Sequence, residues 1–207
     1  MTRPEYALLA ELRPTATTSR VDMHIPVVDE EDASGEIAAA YQYFRDQTGR
    51  QDVPGILKCF SANPAFVRQM IDISSTLLFA DGYLTRQQKE MIATWISREN
   101  ACPYCLDSHG FFLLVHGAPE AVARKLMAGE IDDAAISEAE RQLLLYLGKV
   151  NGESFKASKE DVERLRGLGW SDNQIAEGVH VAAMMGLCNR VANAFGLSAQ
   201  GFLELKR

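Results

Sequence analysis

The chain has 207 residues, of which 47% are hydrophobic and 24% are charged. This composition is typical of a globular protein that buries a substantial core, and it excludes wholesale disorder. The 21 basic and 28 acidic side chains give a formal net charge of −7, which argues against nucleic acid or an anionic membrane surface as a partner.

Helix start signals recur along the chain, whereas strand signals hardly occur. We predict an all-α fold of about eight helices, with an irregular N-terminal arm over residues 1–33 and a single all-helical domain over 34–207. The predicted helix starts are, in chain order, Ser34, Asn63, Thr85, Cys102, Pro119, Ser137, Ser158 and Ser171. The predicted ends lie near Arg45, Ala80, Glu99, Gly117 and Phe195.

The apolar runs indicate a location in the cytoplasm. The longest, at 111–115 and 181–185, fall short of the roughly 18 residues that span a bilayer. The apolar stretch at 6–10 is too short for the core of a signal peptide. The chain contains four cysteines, too few for a secreted disulfide scaffold of this size: Cys59, Cys102, Cys105 and Cys188.

Two of these cysteines lie in the segment best suited to chemistry. If Cys102 caps a helix that begins at Pro103, both Cys102 and Cys105 lie in its first turn, where free amides and the helix dipole favour a thiolate. Their spacing brings the two sulfurs to one side of the helix, within reach of a disulfide. His109 lies one turn beyond Cys105 and is placed to accept its proton, directly or through water.

Four alternative interpretations apply to the two cysteines. A zinc site needs four ligands, and this cluster supplies three, so no metal is expected. Covalent haem attachment needs a histidine directly after the second cysteine, where Leu106 stands. A thioredoxin motif needs a preceding strand, whereas a helix is predicted there. Two inert core cysteines are the remaining structural alternative.

The spacing of Glu90, Cys102, Cys105 and His109 resembles the alkylhydroperoxidase D motif of the carboxymuconolactone decarboxylase superfamily. The surrounding sequence, LTRQQKEMIATWISRENACPYCLDSHG, is similar to that of peroxidase-related proteins in this superfamily. The resemblance implies an alkylhydroperoxidase D-like helical fold, assembly into homo-oligomers such as trimers or hexamers, and a thiol peroxidase that acts on hydroperoxides without a cofactor.

The resemblance also implies roles for single residues. Cys105 corresponds to the peroxidatic cysteine and Cys102 to the resolving one, with Glu90 and His109 in a proton relay. Tyr104 stands where the best-known member has histidine, and a phenol is a poor base at neutral pH. Helical periodicity alone places Glu90 on the exposed side of its helix, so that only the motif assigns it to the site.

An external thiol reductant, either a lipoylated or a thioredoxin-like protein, is the expected partner. Two other functions stay open: lactone decarboxylation or related acid–base chemistry by Glu90 and His109, and redox sensing by an oligomer without turnover. Of the remaining candidates, His116 is expected to compensate a helix dipole, and His180 is expected in the core. Cys59 and Cys188 are expected to be core residues.

Overall fold

The computed structural model describes residues 23–204, so that residues 1–22 of the predicted arm lie outside the described residues. Nine α-helices and no β-strand are found in this part of the chain, which confirms the all-α prediction. The helices are α1 (Gly35–Thr48), α2 (Gly55–Lys58), α3 (Pro64–Ile73), α4 (Arg86–Glu99), α5 (Pro103–Val115), α6 (Glu120–Ala128), α7 (Glu138–Glu153), α8 (Lys159–Gly167) and α9 (Asp172–Phe195). Within residues 23–204, no helix combines the length and hydropathy that a bilayer-spanning segment requires.

Eight of these helices begin where the sequence predicts, and the additional one is the four-residue α2. Capping boxes, which satisfy free amides at the helix start, are formed at Thr85, Ser137, Ser158 and Ser171. Ser34 is the N-cap residue of α1, as predicted, but its side chain makes no capping hydrogen bond. The division into an arm and one domain stays a prediction.

The end of α3 differs from the prediction of a helix continuing to Ala80. After Ile73 the chain forms one π-helical turn, Ser74–Leu78, in which the Phe79 N–H donates to the Ser74 carbonyl at 2.9 Å. Such turns insert an extra residue into a helix and often occur at functional sites. Here the turn forms part of the wall of an internal cavity.

Helix α4 lies at the centre of the fold, because α5, α6, α7 and α9 all pack against it. Its side chains are therefore buried on nearly every side, including the polar residues Arg86, Lys89, Glu90, Thr94 and Ser97. The expectation from periodicity that Glu90 is exposed was wrong, because that argument assumes a helix with one solvent-facing side.

Helix α9 is the longest in the described part of the chain and packs against both α4 and α5. One side of it faces solvent, and His180 lies on that side together with Ala183 and Leu187. The prediction of a core histidine at His180 was therefore wrong. Cys59 and Cys188 are both buried, as predicted.

Candidate active site

The two cysteines of the CxxC motif lie at the start of α5. Cys102 is the residue preceding the helix, with extended backbone angles of φ −98° and ψ 101°, and Pro103 opens the first turn as predicted. Cys102 is 0% exposed and Cys105 is 3% exposed, and both are free thiols. Two reduced, buried sulfurs therefore lie at the first turn of α5.

The surroundings of the two thiols shift their pKa values in opposite directions. The Cys105 thiol lies beside the Cys102 sulfur, where it can act as a hydrogen-bond donor to a thiolate, and this contact lowers the pKa of Cys102 in spite of burial. Cys102 makes no regular capping hydrogen bond, but the amide groups of Cys105 and Tyr104 lie near enough to lower its pKa further. The same thiol–thiol contact, followed by burial, raises the pKa of Cys105 well above its usual value. Cys102 is therefore the thiol of the pair that ionises first as pH rises.

A cavity of about 110 Å³ reaches one thiol of the pair and not the other. Cys105 lines it, whereas Cys102 does not. The other lining residues are Phe44, Thr48, Arg50, Pro54, Ile56, Leu57, Ile71, Ser74, Ser75, Leu78, Phe79, Tyr104, Ser108, His109, Phe112, Met184, Met185, Cys188, Gln200 and Phe202. A small molecule entering this largely apolar space meets the Cys105 sulfur.

His109 lines the same cavity and is backed by a buried carboxylate. Its Nδ1 lies 2.7 Å from Glu90 Oε2, and the other Glu90 oxygen accepts a hydrogen bond from Arg86 Nη2 at 2.6 Å. Arg86 also donates to the Leu78 carbonyl and lies 3.2 Å from His116 Nε2. This contact places the His116 side chain against an arginine. The result is a continuous polar chain from Arg86 to the cavity.

The protonation of Glu90 is set by these neighbours. Burial acts to raise its pKa, but the charge and hydrogen bond of His109 and then those of Arg86 outweigh burial and lower the pKa below the usual carboxyl value. An ionised Glu90 accepts from His109 Nδ1, which leaves Nε2 for exchange of a proton in the cavity. No direct hydrogen bond joins His109 to Cys105 within the described residues, so proton transfer between them needs a bridging molecule.

Tyr104 lies between the thiols and α2. Its hydroxyl accepts a hydrogen bond from the Ile56 N–H at 3.3 Å, and burial raises its pKa above the usual phenol value. The side chain thus connects the short helix α2 to α5, and it stays protonated at neutral pH. A catalytic role for Tyr104 stays a prediction.

The C-terminal segment closes one side of the cavity. The buried carboxylate of Asp107 accepts hydrogen bonds from the backbone N–H groups of Gln200 at 2.9 Å, Phe202 at 3.1 Å and Leu203 at 3.1 Å. The Phe202 ring stacks on Phe111 with 5.6 Å between centroids. Residues near the end of the chain are thereby held against the helix that carries Cys105.

Residues 64–148 match the carboxymuconolactone decarboxylase family. The match includes the whole set formed by Glu90, Cys102, Cys105 and His109 in the geometry described above. The described part of the chain has an alkylhydroperoxidase D-like fold, and the segment that carries the candidate site matches the carboxymuconolactone decarboxylase family. No curated protein matches it in sequence.

Solved structures of this superfamily fold are similar over nearly the whole chain. A peroxidase-related protein with an alkylhydroperoxidase AhpD core from Ralstonia eutropha JMP134 superimposes with a TM-score of 0.76 and 26% identity, over 89% of this chain and 96% of the other. A peroxidase-related protein from Silicibacter sp. TM1040 gives 0.73 and 24%, over 87% and 93%. The debrominase Bmp8 shares the fold, with a TM-score of 0.68 and 17% identity over 91% and 96%.

Asn189, a further polar residue near the thiols, lies outside the matched residues 64–148. Asn189 on α9 is fully buried, donates to Ser97 Oγ at 3.1 Å and accepts from Asn100 Nδ2 at 2.9 Å. Its amide also acts to lower the pKa of both Cys102 and Cys105. No local sequence pattern places Asn189 near the thiols, and only the packing of α9 shows that it lies there.

Two arginines were not singled out from the sequence at all. Arg86 precedes Glu90 by four residues, so that helical spacing alone could have indicated their contact. Arg50 reaches the cavity from a loop, and no local pattern marks it.

Among the described residues, no group of three or more His, Cys, Asp or Glu side chains is arranged to hold a metal ion.

Proposed function

We propose that the protein is a cytoplasmic, cofactor-free thiol peroxidase that reduces hydroperoxides through a dithiol–disulfide cycle of Cys102 and Cys105. One observation carries the proposal: Cys105, three residues after Cys102 on the same helical turn, lines the same cavity as His109, whose Nδ1 contacts Glu90. In this proposal the nucleophile Cys105 and the proton donor His109 line one small space, and the resolving thiol Cys102 lies beside Cys105 outside that space. The peroxidase-related protein of similar structure from Ralstonia eutropha JMP134 supports the same reaction class.

The first step requires a thiolate at the cavity. In the proposed step a proton moves from Cys105 to Cys102 against the raised pKa of Cys105, and the negative charge then lies on the sulfur that the cavity reaches. The Cys105 thiolate attacks the distal peroxide oxygen, so that an S–O bond forms and the O–O bond breaks. The alkoxide leaves with a proton from the His109 imidazolium, and the products are an alcohol and a sulfenic acid on Cys105.

The second step forms the disulfide between Cys102 and Cys105. The Cys102 sulfur attacks the Cys105 sulfenic acid, an S–S bond forms, and hydroxide leaves as water with the Cys102 proton. The two thiols have then supplied both electrons for reduction of one hydroperoxide to alcohol and water. Return to the dithiol requires exchange with an external dithiol, and we propose a lipoylated or thioredoxin-like protein as its source.

Tyr104 contributes a hydrogen-bond donor in this scheme and not a base. Its raised pKa keeps the phenol protonated, while its contact with Ile56 fixes the ring beside Cys105. Proton transfer therefore depends on Glu90 and His109.

Steady-state peroxide consumption, with a dithiol such as dithiothreitol as the reductant, tests the proposal. The wild type is expected to turn over, and Cys105→Ser is expected to lose turnover, whereas Cys59→Ser retains it because Cys59 is not among the cavity-lining residues. Unchanged consumption by Cys105→Ser would exclude the proposed cycle.

A second candidate is acid–base chemistry of the lactone decarboxylation type. The complete Arg86–Glu90–His109 chain favours it, because it holds a proton carrier at the cavity without involving sulfur. Turnover of a lactone by the Cys102→Ser/Cys105→Ser double variant would support this function. Slow, reversible disulfide formation that changes assembly without turnover would instead indicate redox sensing.

We also propose that the chain assembles into a homo-oligomer, a trimer or hexamer, as the family resemblance implies. Exposed apolar side chains support the proposal, among them Ile73, Phe155 and Leu187. Light scattering coupled to size-exclusion chromatography measures the assembly directly, and a monomeric mass at micromolar concentration would contradict it.

A further inference from the structure

Arg50 is a buried cation in the wall of the cavity that reaches Cys105. The residue follows Gly49, whose φ of 76° turns the chain back after α1, and its backbone N–H donates to Thr48 Oγ1 at 3.2 Å. Arg50 is 6% exposed, and its guanidinium carbon lies 6.0 Å from the centre of the Phe44 ring. The loop therefore delivers a positive charge to the interior.

The counter-ion of Arg50 lies on the solvent side. Asp52 accepts from Arg50 Nε at 3.3 Å and from Nη2, but the Asp52 side chain is 52% exposed and is not among the cavity-lining residues. Arg50 Nη1 makes no hydrogen bond with another described residue. A buried guanidinium is stable when its remaining donors are also satisfied, and an anion in the cavity would do so.

The composition of the cavity favours an anion with an apolar body. No aspartate or glutamate lines it in the described part of the chain, whereas Phe112, Met184 and Met185 provide apolar walls. Its volume of about 110 Å³ is comparable to the order of 150 Å³ that accommodates a benzene molecule in a protein interior. The space thus suits a small aromatic or short branched alkyl group.

We propose that Arg50 binds the carboxylate of the substrate, so that this site acts on small hydroperoxides that carry a carboxylate on an apolar body. The inference rests on the proposed peroxidase function for the reaction, but the carboxylate site itself does not depend on turnover. Arginine is suited to this role because its planar fork donates two parallel hydrogen bonds to one carboxylate. Arg50 orients the apolar body so that the peroxide group faces Cys105.

A matched pair of substrates isolates the contribution of charge. 3-Hydroperoxy-3-methylbutanoic acid, a short branched alkyl hydroperoxide, and its methyl ester share their shape around the peroxide, and only the acid carries an anion. We expect a KM about tenfold lower for the acid in the wild type, and a ratio near one in Arg50→Gln, as the loss of one charge-assisted contact implies. Arg50→Lys keeps the charge without the fork and should give an intermediate ratio.

Arg45→Gln is the matched control. Arg45 is also an ion-paired arginine, bonded to Glu30 and to the Gln51 carbonyl of the same loop, but it does not line the cavity. The variant should keep the wild-type ratio of KM values. Equal KM values for acid and ester in the wild type, or the same ratio in Arg50→Gln as in the wild type, would overturn the proposal.

A binding measurement distinguishes failure of the carboxylate site from failure of the proposed peroxidase function. Calorimetry with the Cys102→Ser/Cys105→Ser variant should show binding of 3-methylbutanoate but not of the neutral 3-methylbutanamide, with loss of binding when Arg50→Gln is added. Selective binding without peroxide turnover by the wild type would refute only the peroxidase. Turnover of both hydroperoxides without selective carboxylate binding would refute only the role of Arg50.

Discussion

Glu90 Oε2 lies 2.7 Å from His109 Nδ1, and the carboxylate that makes this contact is fully buried. The contact fixes the orientation of the imidazole and directs its second nitrogen toward the cavity that Cys105 lines. Arg86 on the other side of Glu90 keeps the carboxylate ionised. Removal of the carboxylate therefore leaves Arg86 and His109 without their shared hydrogen-bond acceptor.

Replacement of Glu90 by glutamine is predicted to lower the free energy of unfolding at pH 7 by about 3 kcal/mol, because a buried ion pair loses one partner. The Glu90 pKa is lowered in the folded state, so its ionised form stabilises the fold at neutral pH, and this contribution is lost as pH falls through the folded pKa. Urea denaturation of wild type and Glu90→Gln should show a difference that shrinks toward acid pH. Glu138→Gln, at an exposed ion pair, should change stability little. An equal Glu90→Gln effect at neutral and acid pH would contradict this account.

Replacement of Cys105 by alanine is predicted to raise the pKa of Cys102. The Cys105 thiol is the largest cause that lowers the Cys102 pKa, and alanine cannot donate this hydrogen bond. Ultraviolet absorbance of the thiolate, followed against pH, should move to higher pH in Cys105→Ala. Cys59→Ala is a suitable control, because burial raises the pKa of Cys59 to about 12 and its loss leaves the low-pH titration in place. A titration at lower pH in Cys105→Ala than in the wild type would show that the shared hydrogen bond does not stabilise the thiolate.

Asn189→Ala is predicted to raise the Cys102 pKa by less than Cys105→Ala does, since its amide is a smaller cause of the lowered pKa. The variant also removes the bonds to Ser97 and Asn100, with an expected loss of about 2 kcal/mol of stability from unsatisfied buried groups. Asn193→Ala, at an exposed amide of the same helix, should leave the thiol titration unchanged. Equal titration curves for Asn189→Ala and the wild type would remove Asn189 from the electrostatics of the thiols.

Asp107→Ala is predicted to release the segment that closes the cavity. Three backbone N–H groups, those of Gln200, Phe202 and Leu203, lose their acceptor, and an expected loss of about 2 kcal/mol of stability follows. Amide hydrogen exchange at 200–203 should accelerate in this variant and remain slow in Asp132→Ala, whose carboxylate makes a surface ion pair. Unaltered exchange at 200–203 would show that the stacking of Phe202 on Phe111 alone retains the segment.

Local signals in the sequence predicted the helices well. The capping boxes at Thr85 and Ser137 and the Cys102–Pro103 pair act within a few residues, so the chain around each start determines it. The short helix α2 escaped prediction because a four-residue helix has no periodicity to detect. The π-helical turn at Ser74–Leu78 likewise replaced an expected α-helical end.

Properties that depend on distant parts of the chain were predicted less well. Periodicity misplaced Glu90 because packing on all sides of α4 is not visible in that helix, and only the spacing to the cysteines assigned Glu90 to the site. Asn189 and Arg50 reach the thiols and their cavity from elements far away in sequence. The positions of both residues follow from the arrangement of the helices, and no local motif predicts that arrangement.

The peroxidatic role of Cys105 is tested most directly by mass spectrometry of the thiols after addition of one equivalent of hydroperoxide. The wild type should form a disulfide between Cys102 and Cys105, and Cys102→Ser should hold a trappable sulfenic acid on Cys105, the thiol that lines the cavity. In Cys105→Ser, no sulfenic acid should form on Cys102, which does not line the cavity. Two free thiols in the treated wild type, or a sulfenic acid on Cys102 in Cys105→Ser, would contradict the account.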